Sequence, residues 1–264
     1  MMKQIIKSVI GKFGYQIRKN ETRYDPFLGY DLEAEANEQI KIIRPYTMLT
    51  RTRLITLYQN AVFCEQIDMQ GSFVECGVWK GGSVALMALA NLKYGKKRRD
   101  IHLFDSFQEI CEPEESTDGA RAVKEVKKWS QGETKGRLIP LVGIYDSFGG
   151  PGTLEGNKQL LEDIIGYNPD YLHYHHGWFQ DTLPKEADQI AEIAILRLDG
   201  DWYASTNICL EFLYEKVVRG GFIIVDDYNT YDGCKKAVDE FRHQQNIVAY
   251  LHHIDADGRY WIKP

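Results

Sequence analysis

Short unbroken apolar runs alternate along this chain with longer stretches in which apolar residues recur every three or four positions. The runs predict strands buried on both faces, and the periodic stretches predict helices packed by one face. Strands are expected over residues 72–77, Ile101–Asp105, residues 171–176, 194–198 and 221–225. Helices are expected over residues 32–43 (stopped by Pro45), 52–67, 84–92, 160–165 and 231–244. In the second of these Leu54, Leu57, Tyr58, Ala61 and Val62 share a face, and in the last Ala237, Val238 and Phe241 point inward. The tail reads as two further strands, residues 248–254 and Arg259–Ile262, joined at Asp255-Ala256-Asp257-Gly258, where Asp-Gly is a hairpin signal. Strand–helix alternation of this kind predicts an α/β fold whose mainly parallel sheet closes with an antiparallel hairpin.

Two segments stand outside that pattern. Residues 1–20 are basic and amphipathic, with Ile5, Ile6, Val9, Ile10 and Phe13 at helical spacing and Lys3, Lys7 and Lys12 among them. The lysines interrupt the apolar positions, so this is no signal peptide. The helix either packs on its own domain or a second copy, or makes weak contact with an anionic membrane surface; packing is the simpler reading, and a homo-oligomer is the expected assembly. Residues 109–156 are polar and glycine-rich with a charged helical piece at 120–129, as in an insertion lying over a sheet edge. The expected organisation is therefore a helical cap over residues 1–68 and a catalytic domain over 69–264.

Composition narrows the class. A chain of 264 residues, 44% hydrophobic and 27% charged, suits one large globular α/β domain with additions. A formal net charge of −6 argues against nucleic acid as a partner. The five cysteines are scattered, without a CxxC pair, and no apolar run approaches the roughly 20 residues that span a bilayer. A reducing cytoplasm is the expected compartment.

The candidate chemistry sits at strand ends. Ala194-Ile195-Leu196-Arg197-Leu198 runs into Asp199-Gly200-Asp201, and Gly221-Phe222-Ile223-Ile224-Val225 into Asp226-Asp227. Either acidic pair alone could be a turn or a helix cap. Together they would put several carboxylates at one sheet edge, where open α/β sheets bind ligands and hard cations such as Mg²⁺ find oxygen donors. A glycine-rich turn follows the first strand, Glu75-x-Gly77-x-x-x-Gly81-Gly82, and leads into a helix. It is not the dinucleotide GxGxxG. A carboxylate entering the turn is unfavourable beside a pyrophosphate and usable beside a cationic amino-acid group, which favours S-adenosylmethionine over NAD without deciding between them. Asp105 ends the next strand, where an acidic residue can accept from ribose hydroxyls. His173, His175 and His176 alternate across a strand and cannot all converge; packing or surface roles are expected, His176 lying nearest the cofactor. Glu65, Tyr203 and Trp178 either line an acceptor pocket or pack.

Five ordered motifs carry a resemblance. They are Phe73-Val74-Glu75-Cys76-Gly77-Val78-x-x-Gly81-Gly82-Ser83, Phe104-Asp105-Ser106-Phe107, Gly177-Trp178-Phe179-x-Asp181-Thr182-Leu183-Pro184, Leu198-Asp199-Gly200-Asp201-x-Tyr203-x-Ser205-Thr206 and Gly220-Gly221-x-Ile223-x-x-Asp226-Asp227-Tyr228. Between about Tyr46 and Phe241 the chain resembles the macrocin O-methyltransferase (TylF-like) family, metal- and S-adenosylmethionine-dependent enzymes that methylate sugar hydroxyls of antibiotics. The resemblance implies a class I methyltransferase fold: a Rossmann-like three-layer sandwich with a seven-stranded, mostly parallel sheet and an N-terminal helical cap. It implies that Asp199, Asp226 and Asp227 hold Mg²⁺ or another hard divalent cation, and that Asp201 is the general base. Glu75, Gly77, Gly81 and Ser83 would surround the methionine part of the cofactor, Asp105 and Ser106 its ribose and adenosine end. Thr47 and Met48 would close over it, with Phe179, Gln180 and Asp181 near adenine. The acceptor implied is a small hydroxylated molecule, a sugar before a catechol or other phenol.

The chain departs from the family at Trp202-Tyr203-Ala204, where many relatives carry a triplet like Leu-Tyr-Glu, and in a longer segment after Cys111. The antibiotic acceptors are therefore not carried over. An NAD-dependent oxidoreductase is the competing enzyme class, opposed by the absent GxGxxG and by the terminal hairpin. A non-catalytic binding protein is opposed by the retention of all four site aspartates.

Overall fold

The computed structural model describes residues 31–264; the amphipathic segment expected over residues 1–20 lies outside the described residues, and with it any membrane contact. Ala36–Pro264 forms one compact unit. Of the preceding unit, Met1–Glu35, only the opening residues of a helix are described.

That helix is α1 (Asp31–Ile43), followed by a 3-10 turn, Arg44–Tyr46, which contains the expected stop at Pro45. Next come α2 (Arg51–Gln66), β1 (Ser72–Cys76), α3 (Gly82–Tyr94) and β2 (Ile101–Asp105). The insertion contributes α4 (Glu115–Trp129), broken at Gly119. A short α5 (Leu154–Lys158) runs into a π-helical turn, Gln159–Ile164, before β3 (Leu172–His176) and α6 (Phe179–Glu186). The chain finishes with β4 (Ile193–Leu198), α7 (Tyr203–Leu213), β5 (Val217–Val225), α8 (Asp232–Gln244), β6 (His252–His253) and β7 (Arg259–Ile262).

Seven strands form one sheet in the order β3-β2-β1-β4-β5-β7-β6. β1 to β5 are mutually parallel, and β7 runs antiparallel to β5. The chain steps outward from β1 to β3 and returns to the far side of β1 with β4, so the strand order reverses there. Such a reversal opens a crevice at the carboxyl ends of the strands, the standard ligand position in open α/β sheets.

Helices cover both faces, which explains why β4 is buried at every position and carries no polar-out alternation. On one face α2 and α3 pack together. On the other, Leu183 of α6, Leu210 of α7 and Val238 and Phe241 of α8 join Leu196 and Ile223 in one cluster. Leu54, Leu57, Tyr58, Ala61 and Val62 are all buried, as their shared face in α2 requires. Wholly buried Trp261 ties the antiparallel addition to this core beside Tyr214 and Phe241. Losing an aromatic side chain of that kind costs about 3–5 kcal/mol.

One predicted element is shorter than its pattern. The strand expected from residue 248 pairs only at His252 and His253. Val248 is 97% exposed and Tyr250 73%, while Ile247, Ala249 and Leu251 rest on the core. This is strand-like alternation without a ladder: Trp261 and Ile262 of β7 pair with β5 but not with residues 250 and 251. The Ala249 carbonyl accepts from Arg242 Nη2 at 2.5 Å instead.

Candidate active site

A cavity of about 570 Å³ opens at the carboxyl ends of β1, β2, β4 and β5. Its floor is the end of the sheet. Its walls include the turn before α2 and, from the insertion, Cys111, Arg121, Glu125, Trp129 and Tyr145. Asp118 pins the insertion to the start of α7: one carboxylate oxygen accepts from the Tyr203 amide and the other from the Glu114 amide, both at 2.7 Å. Trp202 Nε1 adds a bond to the Cys111 carbonyl at 2.8 Å.

Asp199, Asp226 and Asp227 each offer a carboxylate oxygen, mutually within 4.8 Å. β4 and β5 are neighbours in register, Leu198 opposite Val225, so the residues following them emerge side by side. Asp227 Oδ2 is buried without a hydrogen-bond partner among the described residues. Three converging carboxylates with an orphaned oxygen are a donor set that fits a hard divalent cation. Asp201 stands beside them in the left-handed region, φ +57°, a conformation aspartate tolerates better than most residues. Burial, then the charge of Asp199, pushes its carboxyl up to about 8. The same causes push Asp226 to about 6, while burial and then the charge of Asp201 push Asp227 well above the usual carboxylate range.

Two arginines hold this acidic cluster, and both escaped the sequence reading. Arg197 lies opposite Glu75 across the β1–β4 ladder and is 2% exposed. Its Nη1 donates to Glu75 Oε1 at 2.5 Å and to Asp199 Oδ2 at 2.9 Å, and its Nη2 donates to Asp226 Oδ1 at 2.6 Å. Arg53 of α2 donates through Nη1 to the other Asp226 oxygen, and through Nε to Asp255 Oδ2 at 2.9 Å. Both oxygens of Asp226 are thus gripped by guanidinium groups. Arg197 had a signal: a charge inside an aliphatic strand, two residues before Asp199 and hence on its face. Arg53, one of several polar residues on a helix, had none.

The glycine turn presses on the backbone that carries Asp199. At Gly77 the backbone adopts φ +87°, and a Cβ would come 1.9 Å from the Asp199 carbonyl oxygen; only glycine lets the turn press so closely on the end of β4. Asp105 braces the same turn, Oδ2 accepting from the Val78 and Trp79 amides at 2.7 and 3.2 Å and Oδ1 from the Phe107 amide at 2.6 Å. Trp79 and Phe107 have φ of +46° and +52°, rare for bulky residues and concentrated here beside the cavity.

Most of the expected cofactor residues line the cavity: Thr47, Met48, Gly77 and Ser83, then Asp105, Ser106, Phe179 and Gln180. Asp199, Asp201, Asp226 and Asp227 line it too. Three expected residues do not. Glu75 is fully buried one layer back, its Oε1 accepting from Ser83 Oγ as well as from Arg197. Burial pushes its carboxyl up to about 7 against the pull of Arg197. Gly81 is packed against Asn157, and Asp181 is exposed on the first turn of α6.

Trp178 lines the cavity, whereas Glu65 pairs with Arg99 at 2.7 Å and Tyr203 donates to Glu240 at 2.8 Å. His176 is exposed against Phe107, away from the cavity wall. His175 is buried, stacked on Phe104 and bonded to His102 and Glu186. His175 thus packs and His176 lies at the surface, in line with the packing or surface roles expected of them.

Residues 20–149 and 157–263 match the macrocin O-methyltransferase (TylF) family. This chain belongs to that family. Membership makes it an S-adenosylmethionine-dependent O-methyltransferase. It is similar to demethyldecarbamoylnovobiocin O-methyltransferase of Streptomyces niveus, 34% identical over 216 residues, covering 82% of this chain and 75% of that one. It is also similar to the 8-demethyl-8-(2,3-dimethoxy-alpha-L-rhamnosyl)-tetracenomycin-C 4'-O-methyltransferase of Streptomyces olivaceus, 31% identical, covering 88% and 82% of the two chains. The solved O-methyltransferase NovP superposes with a TM-score of 0.71 at 28% identity, over 88% of this chain and 99% of that one. The unmatched residues 150–156 fall at the end of the insertion. Among the described residues no helix is long and apolar enough to cross a membrane.

Proposed function

We propose that this O-methyltransferase transfers the methyl group of S-adenosylmethionine to a hydroxyl of a sugar or glycosylated acceptor, with Mg²⁺ or a similar cation held by Asp199, Asp226 and Asp227. One observation carries the metal assignment. Three carboxylates converge in the cavity with a buried oxygen of Asp227 left unpartnered. The sugar assignment is supported by a relative whose name specifies a rhamnosyl-bearing acceptor.

A bound cation would acidify and orient an acceptor hydroxyl, which is otherwise a poor nucleophile. S-adenosylmethionine supplies an activated methyl group on a sulfonium. The chain's own residues do the rest. Asp201 takes the hydroxyl proton while the acceptor oxygen forms its bond to the methyl carbon and the carbon–sulfur bond breaks. Burial raises Asp201 first and the charge of Asp199 second; a cation would offset the second of these and favour the ionised base. Arg197 and Arg53 fix Asp226, so the donor set is organised in advance. The glycine turn and the braced Asp105 shape the cofactor side, and the insertion walls the acceptor side.

Asp201→Asn tests the division of labour. S-adenosylhomocysteine and Mn²⁺ should bind the variant as they bind wild type, while methyl transfer falls by about 10²-fold or more, the usual worth of a general base. Normal turnover would remove Asp201 from the base role. Asp199→Asn should instead lose the cation itself.

A further inference from the structure

The acceptor wall contains a basic group with unspent donors. α4 turns Arg121, Glu125 and Trp129 into the cavity, four residues apart and therefore on one helical face. Ala122 and Val126, on the adjoining face, anchor the helix in a cluster with Cys111, Leu141 and Trp202. Arg121 Nε donates to Glu125 Oε1 at 3.1 Å, and its guanidinium lies 5.5 Å over the Tyr231 ring. Tyr231 OH donates to the other Glu125 oxygen at 2.5 Å. The guanidinium is thus held from its Nε edge and from one face. Its two Nη groups have no protein partner among the described residues. They form the fork that recognises carboxylate or phosphate oxygens in pairs.

The other basic group on the wall is spent. Arg53 is committed to Asp226, Asp255 and Asp257. Arg121 is also close to the chemistry: the Tyr231 ring beneath it packs on Trp202, and the Tyr231 amide donates to the Asp227 carbonyl at 3.2 Å. The Tyr231 ring thus links the fork to the backbone that carries Asp227, and Arg121 and Asp201 line the same cavity.

We infer that the acceptor carries an anionic oxygen group, a carboxylate or a phosphate ester, which Arg121 grips while the hydroxyl to be methylated lies at Asp201. The inference rests on the methyltransferase reading and narrows its substrate class. A neutral glycoside would leave the fork facing water. An acidic sugar or a sugar phosphate would satisfy it and place a compensating negative charge beside a site that also takes a cation and a sulfonium.

The test is a titration of wild-type protein loaded with S-adenosylhomocysteine and Mg²⁺. Glucose, glucuronate and glucose 1-phosphate are added in turn and followed by calorimetry. At least one of the two acids should bind about 10-fold or more tightly than glucose, and which one does so identifies the anion. Arg121→Gln should shrink that preference to about threefold or less and leave S-adenosylhomocysteine affinity unchanged, since the substituted side chain is half exposed and outside the core. Glucose binding as tightly as both acids would overturn the inference, as would absent saturable binding by either acid or a preference that survives Arg121→Gln. Wild-type protein that fails to bind S-adenosylhomocysteine would instead sink the methyltransferase reading, and this inference with it.

Discussion

Arg197 Nη2 meets Asp226 Oδ1 at 2.6 Å, with both side chains almost wholly removed from water. The same guanidinium reaches Glu75 and Asp199. A fixed cation thereby lies behind the row of carboxylates and joins the turn strand β1 to the two aspartate strands. It offsets part of the repulsion that burial would make severe and keeps these oxygens in place before any ligand arrives.

Removing that charge should be costly. Arg197→Met leaves Glu75, Asp199 and Asp226 without their shared partner, and breaking a buried pair costs about 3–5 kcal/mol. Urea unfolding in EDTA should show a loss of that size. Because the variant keeps the carboxylates and lacks their internal cation, added Mg²⁺ should raise its midpoint more than it raises the wild-type midpoint. Equal Mg²⁺ responses would separate Arg197 from the proposed cation site.

Gly77→Ala tests the contact between the glycine turn and β4. The added methyl would overlap the Asp199 carbonyl oxygen at a φ of +87°. Strain in that region costs about 1–3 kcal/mol before the clash is counted. The melting temperature should fall by roughly 6 °C or more, and S-adenosylhomocysteine affinity should fall with it. An unshifted melting curve would mean that the turn relaxes away from Asp199 at little cost.

His102 makes the fold sensitive to acid. Burial first, then His173 and His175, lowers its pKa from 6.5 to about 3. The unfolded chain therefore binds a proton between those values that the folded chain refuses. The stability held above pH 6.5 is lost as pH falls towards 3. Between pH 7 and 5 this one residue should account for about 2 kcal/mol. The raised carboxyls of Glu75 and Asp105 act with the opposite sign, losing stability as pH rises through the same range. They are present in both proteins and cancel in a comparison of wild type with His102→Asn. The variant should show the shallower acid loss; parallel curves would contradict this assignment.

The centre of the sheet was legible because β1, β4 and the end of β5 are short, largely aliphatic and buried on both faces, and because β4 and β5 end on aspartates that fall together once the strands are neighbours. The antiparallel closure was legible from Asp257-Gly258. Residues 248–251 misled because alternation reports which side chains face the core, not whether a backbone partner exists. Glu75 is a subtler case. Its place in the motif was visible, but the wall of the cavity is built by Ser83 in front of it, and depth behind a wall leaves no trace in spacing. Arg53 reaches Asp226 from a helix 173 residues away in the chain, a relationship that exists only in the fold.

The central claim is a cation-dependent methyl transfer at the Asp199, Asp226 and Asp227 cluster. Its most direct test is transfer of radiolabelled methyl from S-adenosylmethionine to a panel of sugars, sugar phosphates and nucleotide sugars, with and without EDTA. The account predicts label on at least one acceptor, lost with EDTA and restored by Mg²⁺. Transfer that continues undiminished in EDTA would contradict it.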